Sequence, residues 1–212
     1  MFDSSDPVII TFGLLVFLFS VIIHEVMHGL VALKFGDHTA ERAGRLTLNP
    51  IPHIDLFMTI LLPGLLILSG SRFVIGGAKP VPVNPLNFTN LRKGELWVSA
   101  AGILSNFGLA LIGAVIFHIL NNFYPQINLM YLASKLVQIN LLLGVFNLVP
   151  IPPLDGSKIL MSQLSYKAAD AYAKLEPFGF MIIFLLLYLG ILSPLISLII
   201  SPFYQILQVP PF

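Results

Sequence analysis

Val8 to Leu33 reads VIITFGLLVFLFSVIIHEVMHGLVAL, 26 residues whose only ionisable side chains are His24, Glu25 and His28. As one helix at about 1.5 Å per residue the stretch is roughly 39 Å long, enough to cross a hydrocarbon layer of about 30 Å. The MFDSSDP before it is acidic where a secretory leader is basic, and no small-residue cleavage site follows, so a permanent span is expected. The rest of the 212-residue chain is similar in character: 57% of residues are hydrophobic and 10% charged, against about 25% charged in soluble domains. An integral membrane protein is predicted. Lys and Arg total 11 against 10 Asp and Glu, which leaves no basic excess for a nucleic-acid backbone. Cysteine is absent, so disulfides, thiol nucleophiles and thiolate metal sites are excluded, and any metal must be held by His, Asp or Glu.

Working outward, Leu56 to Gly70 is apolar but only 15 residues long, with Pro63-Gly64 at its centre, short of the about 20 a span usually takes. Glu95 to Leu120 and Leu129 to Val149 are long enough to cross. Phe178 to Leu207 is interrupted by Ser193-Pro194, which predicts one kinked helix or two short ones. Lys34, Arg42 and Arg45 follow the first span; Arg72, Lys79, Arg92 and Lys93 precede Glu95; Lys158, Lys167 and Lys174 follow Val149; residues 121–128 carry no charge. Because Lys and Arg collect on the cytoplasmic side, the amino terminus is expected outside, the spans 8–33 and 129–149 run inward, and 56–70 re-enters. The flanking Arg45 to Asn49 and Arg72 to Asn84 mix β-branched residues with Gly and Pro and are expected as short strands. The expected fold is an all-α polytopic membrane protein. It is one domain over 1–212, with about five or six segments around the core spans 8–33, 95–120 and 129–149, a small β element within 45–84, and C-terminal helices within 178–207.

His24-Glu25-Val26-Met27-His28 puts two histidines one helical turn apart on one face, the spacing that grips a single zinc ion. Glu25, beside the first histidine, is placed to take a proton from a water that zinc has acidified. Ionisable groups inside a span cost about 2 kcal/mol or more each and are functional by default, so a metal site is favoured, with a proton relay as the other reading. A catalytic zinc needs a third protein ligand. Asp155 is the candidate, in Asn147-Leu-Val-Pro-Ile-Pro-Pro-Leu-Asp155-Gly156, where three prolines in four residues must unwind the helix. Taken alone, Asp155-Gly156 reads equally well as an ordinary turn. Depth favours the ligand reading: His24 lies about 24 Å into its span, and the unwinding follows the inward end of 129–149.

HEVMH in the first span, GRLTLNPIPHID after it, GGAKPVPVNP before the span at Glu95 and NLVPIPPLDG after Leu129 to Val149 together resemble the site-2 protease family, as does LEPFGFMIIFLLL at 175–187. Members of that family are intramembrane zinc metalloproteases. The resemblance implies one zinc per chain held by His24, His28 and Asp155, Glu25 as general base, and transmembrane proteins as substrates. It also implies a three-span core and a β element that clamps an extended substrate, in agreement with the strand-like residues 46–48 and 73–75. Asn147 matches the family's asparagine before the proline run; its expected role is either to bind substrate backbone or oxyanion, or to satisfy carbonyls freed by Pro150. Asn106, in Gly102-Ile-Leu-Ser-Asn106, matches a glycine-proline-x-x-asparagine pattern in which Ile103 replaces proline. It is a second substrate-binding candidate or a link between helices. His53 reads as a loop residue, a group behind the ligands or an accessory ligand.

The reading is therefore a minimal intramembrane protease, with no PDZ-like insertion, in a prokaryotic inner membrane and with its site toward the cytoplasm. Two alternatives stay open: a membrane zinc carrier or sensor, for which Glu25 has no use as a base, and a non-catalytic protein that binds transmembrane helices.

Overall fold

The first span is one continuous helix. In the structure, a computed structural model that describes residues 7–70 and 76–210, α1 runs Pro7–Lys34. It is followed by a short α2, Thr39–Arg42, and a 3-10 turn, Ile51–His53. Leu56–Leu61 is wound as a π-helix and continues into α3, Leu62–Leu68. At about 1.5 Å per residue these two pieces make roughly 20 Å, short of the about 30 Å hydrocarbon layer. Asp55 caps them by accepting from the N–H groups of Phe57 and Met58.

The central helix, α4, spans Leu91–Phe123 and starts four residues earlier than its apolar run, because Asn90 accepts from the Lys93 N–H and makes Leu91-Arg92-Lys93-Gly94 its first turn. α5 covers Ile127–Leu148. Beyond the prolines come α6, Asp155–Gln163, and α7, Tyr166–Ala173. Arg92 ties the start of α4 to their junction: it donates 2.9 Å to the Leu164 carbonyl and its guanidinium stands 4.4 Å over the Tyr166 ring.

The last apolar segment is two helices, α8 Gly179–Tyr188 and α9 Leu192–Leu207. The break falls at Gly190, whose φ of 68° is open to glycine, and not at Ser193-Pro194. Pro194 is the third residue of α9, where its missing N–H is one of the donors a first turn leaves unpaired.

Four helices among the described residues are long and apolar enough to cross a membrane. α1, α4 and α5 pack together as the core, and α1 and α4 run antiparallel: His24 of α1 meets Asn106 of α4, while His28, one turn further along α1, meets Val98, about two turns earlier in α4. Small residues let α4 and α5 approach; a Cβ added at Gly113 would stand 3.0 Å from the Val137 side chain. Ala110, Ala114, Phe117, Val137, Leu141 and Val145 form that seam, and Ile183, Leu192, Ile196 and Ile200 of α8 and α9 close over it. His118 and Ser134 then dock the end of α9 by donating to the carbonyls of Leu207 and Pro210, at 2.8 and 2.7 Å.

The expected β element is not present as strands among the described residues. Arg45 to Asn49 forms bends, and 73–75 lies outside the described residues. Residues 76–84 have no regular secondary structure, and their partners are side chains and the backbone of helical turns rather than another strand. The N–H groups of Gly77, Lys79 and Val81 go to Met58 O, His53 O and Glu25 Oε2, and the carbonyls of Gly77 and Lys79 accept from Thr59 and Arg45. Pro80 and Pro82, on the other edge, have no N–H to offer a ladder. What sequence reads as a strand is a strip fastened along one edge.

Candidate metal centre

His24 and His28 project from one face of α1, and Asp155, the first residue of α6, reaches the same point. The Nε2 atoms of the histidines are 3.0 Å apart, and Asp155 Oδ2 lies 3.1 Å from the first and 3.2 Å from the second. All three residues are buried. Two short contacts fix the rings. His28 Nδ1 is 2.6 Å from the Val98 carbonyl and His24 Nδ1 is 2.7 Å from Asn106 Oδ1. Oxygen atoms of that kind only accept, so each Nδ1 carries the proton and each Nε2 turns a bare lone pair toward Asp155.

Three electron-pair donors thus face one another with no proton between them, and Asp155 Oδ2 is buried without a hydrogen-bond donor. That arrangement is repulsive for the protein alone. It fits a cation: zinc bonds of about 2.0–2.1 Å in a tetrahedron place neighbouring ligand atoms about 3.3 Å apart. The donor set, two imidazoles and one carboxylate, is also a zinc set.

Two glycines make the geometry possible. A Cβ at Gly102 would stand 2.5–2.6 Å from His28 Cε1, His24 Cε1 and His28 Nε2, so α4 presents bare backbone to the imidazole edges. A Cβ at Gly156 would stand 2.2 Å from the Leu148 carbonyl, so α6 can start against the end of α5 and deliver Asp155. Between them, residues 149–154 form tight turns closed by bonds from Ile151 N to Val149 O and from Leu154 N to Ile151 O, with a cis Pro152-Pro153 peptide. The Tyr172 hydroxyl donates to the Pro150 carbonyl and pins this corner to α7.

Glu25 is half-buried, with a carboxylate oxygen within 4.8 Å of the two histidine nitrogens. Its Oε2 accepts the Val81 N–H at 2.8 Å. The 76–84 strip therefore lies beside the site and holds Glu25. A second anchor of the strip is Asp37, fully buried just beyond α1. It accepts from Thr39, from the Asn84 N–H and from Asn87. Burial alone would raise its carboxyl pKa, but these donors prevail and hold it below the ordinary carboxylate range.

Other residues singled out from sequence are placed as follows. Asn106 is fully buried; it accepts from His24 and donates to Asn140, so it acts between helices. Asn147 is half-buried and donates 3.0 Å to the Leu143 carbonyl one turn back, with no hydrogen bond to His24, Glu25, His28 or Asp155. His53 is fully buried in the 3-10 turn after α2, where its ring nitrogens lie 2.9 Å from the Thr47 carbonyl and 3.4 Å from Arg45. Asn140 and Ser20 were not foreseen: a lone Asn and a lone Ser in apolar helices carry no motif, and only their burial and the hydrogen bonds that join Asn140 to Asn106 and to Ser20 mark them.

Residues 117–190, a stretch that includes Asp155, match the sequence profile of peptidase family M50. YwhC of Bacillus subtilis, which bears the provisional name of a zinc metalloprotease, is 38% identical over 86% of this chain and 81% of its own. The chain belongs to the site-2 protease family, peptidase family M50. Rip2 of Mycolicibacterium smegmatis, provisionally named likewise, is 31% identical over 80% of this chain and 64% of its own. Zinc metalloprotease MJ0392 of Methanocaldococcus jannaschii is 32% identical over 70% of this chain, which spans 33% of that longer relative. No solved structure matches the chain. Family membership and four apolar helices make the chain an integral-membrane metalloprotease whose working environment is the bilayer.

Proposed function

We propose that this protein hydrolyses peptide bonds in or beside the transmembrane segments of membrane-protein substrates, using one zinc ion held by His24, His28 and Asp155 and Glu25 as general base. The observation that carries the reading is the triangle formed by the two histidine Nε2 atoms and Asp155 Oδ2, 3.0–3.2 Å apart. Zinc bound there would acidify a water and polarise the scissile carbonyl. Glu25 takes the proton of the attacking water and returns it to the leaving amine. The Val81 N–H holds one of its oxygens, leaving the other for the proton. Asn147, near the end of α5, is the proposed contact for substrate backbone.

The site lies toward the end of α1 from which Lys34, Arg42 and Arg45 follow, which supports a cytoplasmic-facing centre. Bacterial and archaeal relatives support a prokaryotic cell membrane.

The test is zinc content per purified chain for the wild type and for His28→Ala, Asp155→Ala and Glu25→Gln, together with cleavage of a transmembrane substrate. About one zinc in the wild type and in Glu25→Gln, loss in the other two, and cleavage abolished in all three variants is the expected result. Full zinc in Asp155→Ala would move the third ligand elsewhere. Zinc in the wild type with metal handling untouched by Glu25→Gln and no proteolysis would point to a carrier.

A further inference from the structure

Behind His24 the buried interior of the bundle is crossed by a line of amide groups. His24 Nδ1 meets Asn106 Oδ1 at 2.7 Å; Asn106 Nδ2 donates to Asn140 Oδ1 at 3.1 Å; Asn140 Nδ2 donates to the Leu136 carbonyl at 3.0 Å and to Ser20 Oγ at 2.9 Å. Asn106 and Asn140 are fully buried and Ser20 is 2% exposed. The line joins α1, α4 and α5 and returns to α1 one turn from where it began. Polar side chains placed this deep are expensive unless each has its partner, and here every amide atom of the two asparagines is engaged.

The direction of the line is decided at one end. A carboxamide can turn over and exchange its oxygen and nitrogen, and an imidazole can carry its proton on either nitrogen. A backbone carbonyl has no such freedom, because it only accepts. The Leu136 carbonyl therefore requires the Asn140 NH₂, which points the Asn140 oxygen at Asn106. That oxygen requires the Asn106 NH₂, which points the Asn106 oxygen at His24 and requires a proton on Nδ1. Nε2 is left bare. For His28 the same setting is made directly by the Val98 carbonyl.

We propose that Asn140 is a positioning residue of the metal centre: through Asn106 it relays the polarity of the Leu136 carbonyl to His24 and holds that ring in its zinc-binding tautomer. Asn140 touches neither metal ligand nor general base, and its effect passes through Asn106 alone. The inference rests on His24 being a zinc ligand. Groups that orient a ligating histidine typically account for about 10- to 100-fold in metal affinity.

The test is the zinc Kd of the full-length protein in detergent, by chelator competition, with the visible spectrum of the cobalt-substituted form as a second readout. Asn140→Leu, which frees the Asn106 amide to turn over, is expected to weaken zinc about 10- to 100-fold and alter the cobalt spectrum. Adding Asn106→Asp to that variant is expected to restore affinity, because a carboxylate only accepts and needs no relay to hold the proton on Nδ1. Ser20→Ala, which leaves the Leu136 bond in place, is expected to bind zinc as the wild type does. Wild-type affinity in Asn140→Leu, or no restoration in the double variant, overturns the relay. If Asn140→Leu does not fold, the ¹⁵N resonances of the wild-type, zinc-loaded histidines decide: a proton on Nδ1 of His24 is expected, and one on Nε2 overturns the proposal. Absence of zinc from the wild type would instead overturn the proposed function itself.

Discussion

The Val81 backbone N–H donates 2.8 Å to Glu25 Oε2, joining the acid of the first span to a strip 56 residues further along the chain. A hydrogen bond to a charged acceptor contributes about 1.5–3 kcal/mol, and here it orients the proposed base. Val81→Pro removes the donor and is expected to lower kcat about 10- to 100-fold with zinc content unchanged. Val81→Ala keeps the N–H and stays near wild type. A faster Val81→Pro enzyme would show that the strip restrains the base.

Gly102 leaves room for the imidazoles. In Gly102→Ala the new methyl falls 2.5–2.6 Å from atoms of both rings, so either α4 retreats or the rings leave the acceptors that set their tautomers. Zinc Kd by chelator competition is expected to rise about 10- to 100-fold. Unchanged affinity would mean that α4 yields without disturbing the ligands.

Asp37 predicts a pH dependence. Its folded-state pKa lies below the unfolded value of about 3.9. The stabilisation is therefore fully present above pH about 4 and is lost as pH falls through the lower folded value. Thermal unfolding in detergent should show a Tm that drops below pH 4 in the wild type and drops less steeply in Asp37→Asn, whose Tm is already lower at pH 7. Parallel curves would show that the carboxylate is not what pins Asn84 and Asn87.

Asn147 donates to its own helix and lies outside the hydrogen bonds of the centre. As a substrate contact it should change binding more than metal. Asn147→Ala is expected to raise KM several-fold while zinc content stays at the wild-type level, measured by steady-state cleavage and elemental analysis. A loss of zinc would assign Asn147 to the architecture of the proline turn.

Membrane character, an all-α polytopic fold and the His24-Glu25-His28 cluster were legible in the sequence, whereas Asp155 alone read equally well as a turn residue, and its approach to the two histidines is visible only in the tertiary structure. Hydrophobic length is a one-dimensional property, and ionisable groups inside it stand out because the bilayer makes them costly. Residues 76–84 read in the sequence as part of a short strand, and no strand forms there. Local composition favours a strand, but whether an extended segment pairs with another strand or is fastened by loops depends on what lies beside it. Met58, His53 and Glu25 come from parts of the chain that no local pattern connects to it. The break at Gly190 went to the glycine because a proline in a first helical turn breaks nothing. The tautomer of His24 was beyond sequence altogether. It depends on Asn106, Asn140 and the Leu136 carbonyl on two other helices, and the direction of a hydrogen bond exists only once both partners are in place.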